Sequence, residues 1–329
     1  MKCELECARM CSMKYNLFLG EYEIVEKFEE TFQKYARGEC ENVSEKVHYL
    51  TIQHSDSNQN LILPNDLNGT LPYLQKLIVK NPNHLITKDV QWPENLTHLH
   101  IYGSLQDDLP EIKFSHISCL KTSHCSNLRN ISKIKHITKL KRLILEETPN
   151  LTISANTFQS NGNITELALK HCNDLKLENG SFIGLDELVE LNFTKNGLTN
   201  MPTRILQSLK SLKHFNWEER SQILKIPKYF FNSNLNLKKF LLNGNFKIDG
   251  SAFQAEQFRK IEEIEIVNGN IDSDIFHGFL YLFKNLKSLN LNGNRLSTIG
   301  KNVTIMLKES TATRRQKLVP KFHLNDTFM

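Results

Sequence analysis

The run Leu140-Lys-Arg-Leu143-Ile-Leu145 decides the fold, because it keeps returning: Ile164-Thr-Glu-Leu167-Ala-Leu169, Leu188-Val-Glu-Leu191-Asn-Phe193, Leu212-Lys-His-Phe215-Asn-Trp217, Leu237-Lys-Lys-Phe240-Leu-Leu242, Ile261-Glu-Glu-Ile264-Glu-Ile266 and Leu286-Lys-Ser-Leu289-Asn-Leu291. The starts lie 24, 24, 24, 25, 24 and 25 residues apart. Looser blocks precede them at Val47–Ile52, Leu74–Val79, Leu96–Ile101 and Ile117–Leu120, giving about eleven units between residues 47 and 300. A fixed period of this length marks a stacked array of supersecondary units.

The blocks follow the leucine-rich-repeat pattern, L-x-x-L-x-L-x-x-N/C-x-L. The middle of each block alternates with period 2, so its two apolar residues face one side of a short strand. The ninth position calls for a small polar residue that bonds the buried backbone of the neighbouring turn. Asn196, Asn245 and Asn294 stand there, with Cys125 and Cys172 as substitutes and Thr148, Arg220 and Gly269 as departures. A second apolar row, Phe158, Phe182, Leu206, Phe230, Phe253 and Phe276, closes the other side. One unit cannot bury both rows; stacking does. The expected fold is an α/β leucine-rich-repeat solenoid, a horseshoe with a concave parallel β-sheet and an irregular or short-helical convex side. Such folds supply broad surfaces for partners.

Both ends depart from the repeat. Cys3, Cys7, Cys11 and Cys40 form an even set, suited to an N-terminal cap over residues 1–46, with three pairings open. Tyr22 to Tyr35 admits an amphipathic helix or a cap hairpin, and the hairpin is preferred. A twelfth block is due near residue 310, yet the text reads Ser310-Thr-Ala-Thr-Arg314-Arg315-Gln-Lys317. Residues 301–329 are therefore expected to be a basic tail, flexible or truncated, leaving a fragment or an end covered by a partner.

The chain has 329 residues and a net charge of 41 − 36 = +5, too weakly basic to indicate nucleic acid. No apolar run nears the roughly 18 residues needed to span a bilayer, so no membrane segment is expected. Ten N-x-[Ser/Thr] acceptors start at Asn42, Asn68, Asn95, Asn130, Asn150, Asn163, Asn179, Asn192, Asn302 and Asn325. Chance would give roughly four, and the excess favours the secretory pathway over an Asn-rich cytosolic chain. The opening Met1-Lys2-Cys3-Glu4-Leu5-Glu6-Cys7 has no apolar leader, which fits a missing first coding segment. Catalytic signatures such as H-E-x-x-H, the P-loop and G-x-S-x-G do not occur, so neither an enzyme nor a cofactor is expected. His116, Cys119, His124 and Cys125 suggest zinc, but Cys125 falls at the inward ninth position, away from outward Cys119, and no metal site is expected.

The irregular array, the acceptors and the stretch Gly20-Glu-Tyr22-Glu-Ile24 followed by Cys40-Glu-Asn42 resemble the ectodomain of the insect Toll and Toll-like receptor family. Pro202 and Pro227, just ahead of the second apolar row, are similar to that family's L-P-x-x-x-F step. The resemblance covers about residues 20–300. It implies an extracellular or cell-surface recognition module that binds a Spätzle-type cystine-knot cytokine in innate immunity or development, with receptor dimerisation. Family members also carry a signal peptide, a cysteine-rich C-terminal cap, a membrane helix and a TIR domain. None of these is in the sequence, so ligand binding is expected without signal transmission by this chain alone. The alternatives are an extracellular adhesion or matrix protein and a cytoplasmic scaffold such as a ubiquitin-ligase adaptor.

Outward strand residues line the concave face. Glu146/Glu147, Lys170/His171, Thr194/Lys195 and Glu218/Glu219 form columns of alternating sign, as do Lys238/Lys239 with Glu262/Glu263. Their simplest reading is a self-neutralising solvated face. Asn192 lies at the centre of that face, where a glycan would obstruct it. Ligand contacts are therefore expected on the N-terminal units, at His98, His100, Tyr102, Lys121 and His124. Histidines recur on the strands, which also admits an acid-sensing role.

Overall fold

The computed structural model describes residues 13–16, 21–24, 47–53, 60–294 apart from 64, 88, 105, 114, 249, 254–255 and 270–282, and 321–323. Two compact units divide the chain. Unit 1 holds residues 1–153 and 157–164; unit 2 holds residues 154–156 and 165–329.

In unit 1, strands β1 (Met13–Asn16), β2 (Glu21–Ile24), β3 (Tyr49–Gln53), β4 (Lys76–Lys80), β5 (His98–Tyr102), β6 (Cys119–Ser123) and β7 (Arg142–Glu146) follow one another in the sheet. Only β1 and β2 are antiparallel; β2 onward pair in parallel. Unit 2 continues the numbering with β8 (Glu166–Lys170), β9 (Glu190–Thr194), β10 (His214–Lys225), β11 (Lys239–Lys247), β12 (Glu263–Val267), β13 (Ser288–Asn290) and β14 (Lys321–His323), all parallel. Each of the eleven blocks read from the sequence carries one of these strands. The register is set by the apolar pair in each block: Leu77, Leu99, Leu120 and Leu143 are opposed in unit 1, and Leu191, Phe215, Phe240 and Ile264 in unit 2. All eight are at most 1% exposed. A slip of one residue would turn every one of them to solvent. The fold is a leucine-rich-repeat solenoid with a parallel sheet on one side of each coil.

Most described coils leave their strand through a left-handed turn at the eighth position. The φ angles are +55° at Asn81, +72° at Gly103, +56° at His124, +50° at Glu147, +55° at His171, +52° at Lys195 and +55° at Asn268. The following ninth residue points inward. Asn196 accepts from the Cys172 N–H at 2.9 Å and donates through Nδ2 to the Leu169 carbonyl at 2.9 Å, tying one coil to the next. Asn294 donates to the Ile266 and Leu291 carbonyls. Cys125 sends its thiol to the Ser123 carbonyl, and Thr148 its hydroxyl to that of Glu146.

Two successive coils break the rule, and two expectations change with them. β10 does not turn at Glu219 but runs on to Lys225, with a register shift against β11 between Glu219 and Leu224. Glu219 is therefore not part of an outward charged column. It is 2% exposed, and its carboxylate accepts from the backbone N–H groups of Asn196 (2.7 Å) and Gly197 (3.2 Å). It supplies the acceptor that Arg220, at the ninth position, does not. β11 likewise stays extended past its ninth position, so period 2 puts Phe246 inside and Asn245 on the half-exposed outer side. Asn245 is thus not an inward rung.

The side opposite the sheet is mostly turn. Among the described residues helix is confined to a four-residue α-turn, Leu67–Thr70, capped by Asp66, and 3-10 turns at Ser132–His136, Gly250–Ala252 and Gln257–Arg259. Phe158, Phe182, Leu206, Phe230 and Phe253 are buried there as expected, while Phe276 lies outside the described residues. A second set of polar rungs accompanies them. Buried Asn161 donates to the Ile134 and Ile137 carbonyls, Asn234 to those of Leu206 and Leu209, and Gln257 to those of Phe231 and Asn234. The unit 2 core is a continuous series of ring contacts from Phe182 through Phe193, Phe215, Trp217, Phe230 and Phe231 to Phe240, Phe253 and Phe283.

At the ends, Glu21–Ile24 forms a hairpin with Met13–Asn16. Residues 25–46, together with Cys3, Cys7, Cys11 and Cys40, lie outside the described residues. So do the basic stretch 310–317 and the acceptors Asn42, Asn302 and Asn325. Within the expected tail, Lys321–His323 adds a parallel strand beside Ser288–Asn290 and sets Phe322 opposite Leu289.

Candidate functional site

Parallel in-register pairing turns the sheet of unit 1 into a grid of outward side chains. Lys76, His98, Cys119 and Arg142 make one row across β4 to β7. Ile78, His100, Lys121 and Ile144 make the next, and Lys80, Tyr102, Ser123 and Glu146 the third, in which Ser123 is itself buried. His124 follows β6 in its left-handed turn and meets the third row, its ring 4.6 Å from that of Tyr102. The five residues selected from the sequence therefore occupy one patch on two adjacent strands and the turn that follows β6.

Hydrogen bonds fix the patch. His100 Nε2 and Ser123 Oγ are 2.9 Å apart, and Thr97 Oγ1 lies 2.9 Å from His98 Nδ1. Lys121 Nζ is 2.6 Å from the Glu146 carboxylate, and His124 Nε2 is 2.7 Å from that of Glu147. Burial, then the charges of Lys121 and Lys76, lower the His100 pKa to about 4; Glu146 opposes them weakly. Burial, Lys76 and Arg142 push His98 in the same direction. A base lowered in this way is neutral at pH 7, offering one donor and one acceptor per ring. With the Tyr102 ring and the Lys121 ammonium, the patch presents an aromatic platform ringed by hydrogen-bonding groups, chemistry suited to a polypeptide surface. The sequence reading missed Lys76, Arg142 and Ser123. Lys76 and Arg142 share the third position of their blocks with His98, so reading that column downward finds them.

The sheet face of unit 2 also carries ion pairs between neighbouring strands. Lys195 lies 3.6 Å from Glu218, and Lys239 lies 2.9 Å from Glu263 and 3.3 Å from Glu265. The hydrogen bond to Glu263 raises the Lys239 pKa. Asn192 is half-exposed on β9 and accepts from Thr194 Oγ1 at 2.7 Å. The seven described acceptor asparagines, Asn68, Asn95, Asn130, Asn150, Asn163, Asn179 and Asn192, are all exposed or half-exposed. The four asparagines buried among the described residues, Asn161, Asn196, Asn234 and Asn294, fall outside the acceptor motif.

Among the described residues no group of three or more His, Cys, Asp or Glu side chains is placed to hold a metal ion. No helix among them is long and apolar enough to cross a membrane.

A family model, the BspA type leucine-rich repeat region, matches residues 151–283 in six copies. Keratocan of Mus musculus is 24% identical over 254 residues, covering 67% of this chain and 69% of keratocan. Among solved structures, the mouse RP105/MD-1 complex superposes with a TM-score of 0.58 at 16% identity over 82% of this chain and 50% of the matched one. The Drosophila Toll–Spatzle complex gives a TM-score of 0.62 at 12% identity over 93% of this chain and 43% of the matched one. The chain thus spans half or less of those two structures' chains. At these identities the likeness establishes the fold: this chain carries a leucine-rich-repeat domain.

Proposed function

We propose that the chain is a protein-recognition module of the Toll ectodomain kind, working outside the cell or at its surface. Its unit 1 sheet face binds a protein ligand of the Spätzle-type cystine-knot class in innate immune or developmental signalling. One observation carries the reading: His98, His100, Tyr102, Lys121 and His124 converge in one patch. Its placement is supported by Asn192, where a glycan would stand over the unit 2 face. The accessibility of all seven described acceptors supports the extracellular location.

The test is capture of a Spätzle-type cytokine by the chain expressed in insect cells. His98→Ala combined with His100→Ala is expected to weaken binding by about tenfold or more, the scale of a hot-spot pair. Unchanged affinity discards the patch. Capture of a cell-surface protein in place of the cytokine points to adhesion. A chain that shows no mass loss on enzymatic deglycosylation and keeps all seven cysteines reduced is an intracellular scaffold.

A further inference from the structure

Away from the sheet face, one flank of unit 2 is lined, among the described residues, by five cations and one carboxylate: Lys213, Lys238, Arg259, Lys260 and Lys287, with Glu262. They border a groove of about 520 Å³. Four of the six are the second residue of four successive blocks. Their alignment is built by the backbone, since the Lys238 N–H donates to the Lys213 carbonyl (2.8 Å), Glu262 to Lys238 (2.7 Å) and Lys287 to Glu262 (2.7 Å). Coil spacing thus repeats these groups about every 4.8 Å. Arg259 and Lys260, just ahead of Ile261, widen the column. Glu262 is shared, in contact with Lys287 and 3.9 Å from Lys238. Asn236 and Asn285 brace the floor by donating to the Lys210 and Arg259 carbonyls.

Like charges stacked at this spacing repel one another, which costs stability unless a partner supplies the missing anions. Among the described residues, one carboxylate against five cations leaves that role open along the groove. We propose that this flank is a binding site for a sulfated glycosaminoglycan, laid along the coil stack with its sulfates against Lys213, Lys238, Arg259, Lys260 and Lys287. A linear polyanion with closely spaced strong charges matches the column. Among the described residues the lining contains no aromatic ring on which a nucleic acid base could stack. Among them there is also no apolar side chain to enter a lipid surface. The site is distinct from the unit 1 face, so it stands or falls separately from the ligand proposed there.

The test uses the full chain and a size-defined heparin oligosaccharide, with affinity followed across a sodium chloride titration. Lys213→Ala, Arg259→Ala and Lys260→Ala together are expected to weaken binding and to lower the salt slope by about three, one for each lost contact. The control is Lys133→Ala, Lys135→Ala and Lys139→Ala in unit 1, which removes equal charge from another surface and is expected to change nothing. Circular-dichroism melts confirm that both triples fold. Equal weakening by the two triples reduces the effect to net charge and overturns the site. Binding of a single-stranded oligonucleotide or anionic vesicles as tightly as heparin overturns the glycan assignment.

Discussion

Glu219 Oε1 accepts the backbone N–H of Asn196 at 2.7 Å, while Asn196 Oδ1 accepts that of Cys172 at 2.9 Å. A buried carboxylate and an amide are thus consecutive rungs of one ladder. Glu219→Ala leaves amides of Asn196 and Gly197 buried without an acceptor and should cost about 2–3 kcal/mol in a denaturant titration. The same residue carries a pH signature. Burial holds its carboxyl above the ordinary range, against the pull of the amides of Asn196, Leu198 and Gly197. A raised acid contributes stability that is fully present below the unfolded value, near 4.5, and is lost as pH rises through the folded one. The Tm of the protein relative to Glu219→Gln should therefore fall as pH is raised above the unfolded value. A constant difference would contradict the shift.

His100 titrates in the opposite sense. Its pKa is lowered to about 4, chiefly by burial and then by Lys121 and Lys76. The folded chain binds that proton less readily than the unfolded chain. Stability from this residue is complete above about pH 6.5 and drains away as pH falls toward 4. Thermal melts at about pH 7 and pH 4.5 should show a larger drop for the native sequence than for His100→Gln.

Asn234 Nδ2 donates to the Leu206 carbonyl at 3.1 Å and the Leu209 carbonyl at 2.7 Å, and the residue is fully buried. Asn234→Ala strips both carbonyls of a donor and should destabilise unit 2 by about 2–3 kcal/mol. The exposed Asn236→Ala, which loses one bond to Lys210 at the surface, should cost well under half as much.

Gly244 holds φ at +131°, and a Cβ there would sit 1.6 Å from the Glu219 carbonyl oxygen. The contact is with backbone, so no side chain can yield. Gly244→Ala should cost about 3 kcal/mol or more and show as early loss of unit 2 in limited proteolysis. Gly180→Ala faces the flexible end of Ile183 at 3.0 Å and should be milder, though its φ of +82° still carries strain.

The eleven blocks were legible because the first, fourth and sixth positions face inward in every coil, so apolar identity repeats with the geometry. The ninth position was legible only where the coil turns at the eighth. Glu219 and Asn245 were misplaced because nothing in a glutamate or an asparagine announces that a strand will continue through its turn; the clue was Arg220, too large and charged for the inward rung. The buried rungs Asn161, Asn234 and Gln257 escaped notice because they sit at the twenty-second, twenty-third and twenty-first places of their blocks, a drift that hides the column. The candidate patch was read from residue type, yet its rows of Lys76, His98 and Arg142 come from register, which sequence spacing encodes but composition does not.

The chain has two tryptophans, and each unit owns one: Trp92, 5% exposed, in unit 1, and Trp217, fully buried among phenylalanines, in unit 2. Repeat arrays draw stability from nearest neighbours, so their halves are free to melt at different temperatures. The molecule is consequently its own pair of fluorescent probes. Replacing either indole by Phe leaves an emission signal that watches the other half alone, and two such melts show whether the array comes apart in one event or in sequence.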